Sequence, residues 1–132
     1  RNHNILGTII DRLKKNNIRV SLFVDSSIDQ IKLAKELGSD IIEIHAGEFC
    51  RKVHDRLDFQ KELNTIKEAA SFAESIGLET HIGHGVTFDS IVELSKINEV
   101  REFNIGHFII SESLFLGLET TIKKMKTLIA EG

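Results

Sequence analysis

Apolar and polar positions along this chain fall into blocks, and the period changes from block to block. In "ILGTIIDRLKK", Ile5, Ile9 and Leu13 recur at helical spacing with Leu6 and Ile10 beside them. That predicts a helix, closed by Asn16 and Asn17. "RVSLFVD" (19–25) is short, apolar and rich in β-branched and aromatic residues, as a buried strand is. Ser26 or Ser27 is placed to cap a second helix, with Ile28, Ile31, Ala34 and Leu37 inward and Gly38 at its end.

The same rhythm continues. "DIIEIH" (40–45) predicts the second strand, "LETHIG" (78–83) the third, and "REFNIGHFII" (101–110) holds a fourth. A helix from about Phe59 turns Leu63, Ile66, Ala70, Ala73 and Ile76 inward and stops at Gly77. Another runs through "FDSIVELSKI", and a last one carries Leu118, Ile122, Met125 and Leu128 on one face. Residues 46–58, "AGEFCRKVHDRLD", read as a long polar loop, either a lid or plain surface.

One helix followed by four strand–helix pairs, with strands apolar enough to be covered on both faces, predicts a parallel sheet with helices outside. Such units build an open doubly wound sheet or half of an eight-stranded barrel. No Gly-x-Gly-x-x-Gly opens any helix, so the dinucleotide-binding version lacks its fingerprint.

Bulk properties narrow the classes. At 132 residues the chain makes one domain or part of a larger one. A formal charge of -3 argues against nucleic-acid binding. The single cysteine, Cys50, excludes an internal disulfide framework and fits a reducing, cytoplasmic setting. No apolar run reaches the roughly 20 residues that cross a bilayer, and no signal-peptide pattern appears. Because the chain starts at Arg1 rather than methionine, an N-terminal portion is expected to precede it.

In parallel α/β architectures chemistry gathers where strands end. The first strand ends in Asp25, and the second offers Glu43 and His45 on one side. The third offers His81, then Gly83, His84 and Gly85, and the fourth offers Asn104, Gly106 and His107. Glu43 inside "IIEI" is the hardest to explain away, since an ionised carboxylate among apolar residues needs a partner or a raised pKa. His45 has a plainer reading as a core histidine bonded to a carbonyl. His3 and His54 sit on polar segments and read as surface, and Cys50 as an incidental thiol. Gly85, Gly106 and His107 suit a phosphate, because glycine lets backbone N–H groups approach closely and helix N-termini favour anions. The plain alternative is that these glycines only make turns. A metal would draw on Glu43, His45, His81, His84 and His107, but no paired-histidine motif supports it. No Gly-x-Ser-x-Gly elbow points to nucleophilic catalysis.

Taken together and in order, "RVSLFVD", "IIEIHAG", "HIGHGVTFDS" and "EFNIGHFII" resemble the pyridoxine 5'-phosphate synthase family, from about Arg19 to the C-terminus. The resemblance implies a TIM (β/α)8 barrel about twice this length. Residues 1–132 would be its C-terminal half, strands five to eight, with the N-terminal half absent. It implies condensation of 3-amino-2-oxopropyl phosphate with 1-deoxy-D-xylulose 5-phosphate to pyridoxine 5'-phosphate, phosphate and water. It also implies no cofactor or metal, a cytoplasmic location, small phosphorylated substrates, and a homo-oligomer, typically an octamer.

By the same resemblance His84 is the proton donor, Glu43 the charge-stabilising carboxylate, and Gly85, Gly106 and His107 the aminoketone-phosphate contacts. His45 and His81 are secondary candidates. Ala46 and His81 depart from the family's usual threonine and asparagine, and His81 is expected to titrate beside His84. The family's two general bases and its pentulose-phosphate contacts belong to the other half, so this piece alone is expected to be inactive. Two further readings stand beside this one: another phosphate-binding TIM-barrel isomerase or aldolase, and a non-catalytic phosphate-binding half-barrel. No lysine lies in the predicted strand cores, which disfavours a Schiff-base aldolase.

Overall fold

A computed structural model describes residues 3–132, with the side chains of residues 3 and 4 outside what it describes. The surface reading of His3 therefore lies outside the described residues. The elements run α1 (His3–Lys14), β1 (Ser21–Val24), α2 (Ile28–Glu36), β2 (Ile41–His45), α3 (Gly47–His54), α4 (Gln60–Ser75), β3 (Glu79–Gly83), α5 (Phe88–Leu94), β4 (Val100–Asn104), α6 (His107–Leu116) and α7 (Leu118–Ala130). The four strands form one parallel sheet in the order β1-β2-β3-β4. Sequential parallel strands joined through helices make this half of a TIM barrel.

Side-chain alternation splits the sheet into two unlike faces. Ile42, Ile44 and Ile82 are fully buried on one, packed with Leu22, Val24 and Phe103 against the helices. Ile31, Ala34, Leu63, Ile66, Ala70, Ala73, Ile91 and Leu94 supply the helix side of this core. Each large aliphatic side chain buried there contributes about 1.5–3 kcal/mol. The other face carries Phe23, Glu43, His45, His81, Gly83, Glu102 and Asn104. Within this chain the second face is less covered than the first. Phe23 on that second face is 58% exposed, and Glu102 and Asn104 of β4 are exposed there too.

The expected loop over residues 46–58 is corrected, because most of it is α3. Phe49 and Cys50 are buried on one side of this helix, and Phe49 meets Phe59 edge-on at 5.4 Å between ring centres. Arg51 pairs with Glu48 at 2.7 Å and Asp55 at 3.1 Å along the outer side. Val53, one turn past Cys50, packs against the same core, so three apolar residues anchor a segment whose composition is otherwise mostly polar. The fourth strand ends at Asn104, and the apolar run after it winds into α6. Ser27 is the N-cap of α2 without a side-chain cap bond. In α1, Ile10 is 2% exposed while Ile5 and Ile9 remain open.

The two ends of the sheet differ in character. At the amino end, Lys14 pairs with Asp40 at 2.9 Å and Arg19 with Glu79 at 2.6 Å. Asp40 also accepts a hydrogen bond from the Val20 N–H, and Lys14 with Val20 holds its carboxyl below the usual range. At the carboxyl end the strands open onto loops and helix N-termini.

Candidate functional site

Strand register decides which of the sequence candidates meet. Phe23 pairs with Glu43 and Glu43 with His81, while His45 pairs with Gly83 and Gly83 with Asn104. Glu43, His45, Gly83 and Asn104 thus share a face at the carboxyl ends of three adjacent strands. Beyond β3 the chain takes two successive left-handed residues, His84 at φ 68° and Gly85 at φ 81°. Histidine enters this region more readily than most side chains, and glycine without strain. The His84 ring lies across β2, with its centre 4.6 Å from that of His45.

A cleft of about 470 Å³ opens between the leads into α5 and α6, lined by His84, Gly85, Thr87, Asn104, Gly106 and His107 among others. All four residues expected to carry the proton donor and the phosphate contacts are on its wall. The two helix starts differ in how they treat their free amides. Thr87 caps α5 in a box, accepting from the Ser90 N–H at 3.3 Å while its own N–H donates to Ser90 Oγ at 2.8 Å. α6 starts at Gly106 with no side-chain cap, and Gly106, His107 and Phe108 at its start line the cleft. A wider, shallow groove of about 710 Å³ lies where α4 ends and β4 begins, lined by Lys67, Phe72, Lys96 and Glu99 among others. It is at the opposite end of the sheet and none of the candidate residues reaches it.

Glu43 is half-buried and does not itself form the cleft wall. Its Oε2 accepts a hydrogen bond from Asn104 Nδ2 at 2.7 Å, and Asn104 is on the wall. His45 stands at the rim with its side chain 35% exposed, packed edge-on against Phe23 at 5.3 Å. The reading of His45 as a buried core histidine is corrected on that ground. Its Nδ1 is 3.8 Å from Asp25 Oδ1, and Gln30 Nε2 donates to the other Asp25 oxygen at 3.0 Å.

His81 is placed elsewhere. It is 7% exposed, its Nε2 lies 2.8 Å from Glu79 Oε1, and its Nδ1 lies 3.7 Å from Glu102 Oε1. Glu79 begins the same strand and Glu102 is the register partner of His81 on β4, so the His81 ring is engaged by these two carboxylates. The pairing with His81, together with Arg19, holds the Glu79 carboxyl below its ordinary range. His54 is exposed, as expected of a surface residue. Cys50 is buried behind Gly85, and burial pushes its thiol up. Among the described residues no group of three or more His, Cys, Asp or Glu side chains converges as a metal site would require.

Two contributors escaped sequence reading. Gly47 leaves the space into which the His45 and His84 rings project, and Phe23 backs His45. The trace of the first in the sequence was a glycine two positions past the strand end, in "HAGE". Among the described residues no helix is long and apolar enough to cross a membrane.

Comparison with known proteins places these features. The family described as "Pyridoxal phosphate biosynthesis protein PdxJ" matches residues 1–131. The pyridoxine 5'-phosphate synthase of Sulfurihydrogenibium sp. (strain YO3AOP1) is 44% identical over 94% of this chain and 50% of its own length. That of Zymomonas mobilis is 40% identical over 94% of this chain and 48% of its own. That of Roseobacter denitrificans is 40% identical over 98% of this chain and 53% of its own. The chain therefore spans about half the length of these curated relatives. With a match running from the first helix to the last, this chain belongs to the PdxJ family of pyridoxal phosphate biosynthesis proteins.

Proposed function

We propose that this chain is the C-terminal half of a pyridoxine 5'-phosphate synthase barrel, a transferase that joins 3-amino-2-oxopropyl phosphate to 1-deoxy-D-xylulose 5-phosphate. The products are pyridoxine 5'-phosphate, inorganic phosphate and water. The observation that carries this reading is the shared cleft: His84, Gly85, Gly106 and His107 line it together, and Asn104 on the same wall holds Glu43.

Each role follows from chemistry available there. The aminoketone phosphate sits against the Gly85 and Gly106 backbone and His107, where the uncapped start of α6 favours a dianion. Gripping the phosphate orients the reacting carbons without touching them. Amine addition to a ketone, dehydration and ring closure each relocate protons, and His84 gives them at the cleft wall near neutral pH. Glu43 steadies the positive charge that grows on nitrogen as the carbinolamine loses water. The general bases and the pentulose-phosphate contacts lie in the preceding half. That half also pairs with the free edges of β1 and β4 and covers Phe23. The complete barrel works in the cytoplasm as a homo-oligomer, with no cofactor or metal and no nucleic-acid or membrane partner.

A Schiff-base aldolase needs a lysine at the reacting carbon, and no lysine lines the cleft. Assay of the complete enzyme with both substrates tests the proposal. Formation of pyridoxine 5'-phosphate, lost on His84→Asn, is the expected result. Absence of product from the wild-type enzyme, or borohydride trapping of a substrate adduct, would overturn it.

A further inference from the structure

A glutamate that is to meet a developing charge must be held, since its side chain otherwise samples many rotamers. Two residues on neighbouring strands hold Glu43. Gly83 on β3 is the first: a β-carbon added there would overlap Glu43 Oε1 and come within 2.8 Å of Cδ. Asn104 on β4 is the second, donating from Nδ2 to Oε2 at 2.7 Å. The carboxylate leaves β2, passes over the bare backbone of β3, and ends on an amide from β4. Gly83 and Asn104 are register partners, so the open position and the donor are set side by side.

We infer that Asn104 is the positioning residue for Glu43, fixing one carboxylate oxygen at the cleft wall and leaving the proton traffic to His84. This rests on the role given to Glu43 above. A neutral amide suits the task chemically. It donates without titrating, so it stabilises the anion at every working pH and competes for no proton. Other ionisable groups on this face are otherwise engaged. His81 of β3 is bonded to Glu79 and faces Glu102 of β4, while His45 of β2 lies against His84 with Asp25 beyond it.

The test uses the complete enzyme with Glu43→Gln, Asn104→Ala, the double variant and Asn104→Asp, reading kcat and KM across pH. Asn104→Ala should lower kcat by about 10- to 100-fold, the worth of one hydrogen bond to a charged group, with the aminoketone phosphate KM little changed. In the Glu43→Gln background the same change should cost nothing further, because its effect passes through the carboxylate. An additive loss, or a raised KM at full kcat, would show that Asn104 meets the substrate directly and would overturn the inference. Asn104→Asp keeps the shape and sets two carboxylates together, so the acid limb of the pH–rate profile should move to higher pH. An unmoved limb would overturn it as well, and this variant serves should Asn104→Ala not fold. Full turnover in Glu43→Gln would sink the functional reading itself. An inactive Glu43→Gln beside fully active Asn104 variants would sink only the inference.

Discussion

The ring of His84 stands 4.6 Å from that of His45 with their planes at 51°, and Gly47 leaves room for the pair. A β-carbon on Gly47 would lie 2.8 Å from His45 Nε2 and 3.0 Å from His84 Cδ2. A ring from β2 and a ring from the turn after β3 are therefore set by a residue of α3.

Gly47→Ala separates site geometry from stability. Alanine at this helical position is favoured by up to about 1 kcal/mol over glycine, which offsets the crowding. Thermal unfolding should stay within a few degrees of wild type, about the effect of 1 kcal/mol. Turnover should fall by roughly tenfold, since an ångström of misplacement can cost more than that. Unchanged kcat would show that the pair of rings has no part in the reaction.

For His84 the choice of replacement matters, because its φ of 68° disfavours most side chains. Asparagine tolerates that conformation, so His84→Asn removes the imidazole and keeps the loop. Loss of a proton donor predicts a fall in kcat of about 10²- to 10⁴-fold with KM little altered. His84→Val would add backbone strain of about 1–3 kcal/mol and should also lower the unfolding midpoint. Steady-state kinetics beside urea denaturation of both variants distinguishes the two effects.

Gly85 and Gly106 should respond differently to the same methyl group. At Gly85, φ is 81° and a β-carbon would lie 3.3 Å from Cys50 Cβ, so Gly85→Ala should destabilise by about 1–2 kcal/mol. At Gly106 no atom lies within 4 Å of the added carbon. Gly106→Ala should leave stability unchanged and weaken phosphate, because the methyl enters the space beside the α6 amides. Inhibition by inorganic phosphate measures this, and equal inhibition of wild type and variant would exclude an anion there.

The acid limb of stability should report on Glu79, whose carboxyl is held down by His81 and Arg19. A carboxyl with a lowered folded pKa binds its proton more weakly in the folded chain than in the unfolded one. Its contribution is therefore complete above the ordinary glutamate range of about 4.3 and is lost as pH falls toward the folded value. Glu79→Gln should lower stability at neutral pH and flatten its decline below about pH 4. Denaturation midpoints between neutral and acid pH provide the check; parallel curves for both proteins would refute the linkage.

Much of the architecture was legible because parallel α/β folds announce themselves through buried strands and amphipathic helices at regular intervals. α2, α4 and the four strands could be placed from Ile31, Leu63, "IIEI" and their neighbours alone. α3 was missed because its apolar stripe of Phe49, Cys50 and Val53 occupies a helix of only eight residues that otherwise carries charge. α6 was hidden for the opposite reason: "HFIISESLFL" is apolar on every side, so it has no periodicity to read.

Local chemistry determined the candidates: which residues are expensive to bury, where strands stop, and where glycines permit an anion. It also made Glu43 conspicuous, because a carboxylate in an apolar strand requires an explanation wherever the strand lies. Only tertiary structure decided which candidates meet. Strand register brought Asn104 to Glu43 across Gly83, and two left-handed residues turned His84 onto His45. It also assigned His81 to Glu79. Such pairings depend on distances between segments far apart in the chain, and a one-residue change of register would turn every one of these side chains to the other face of the sheet.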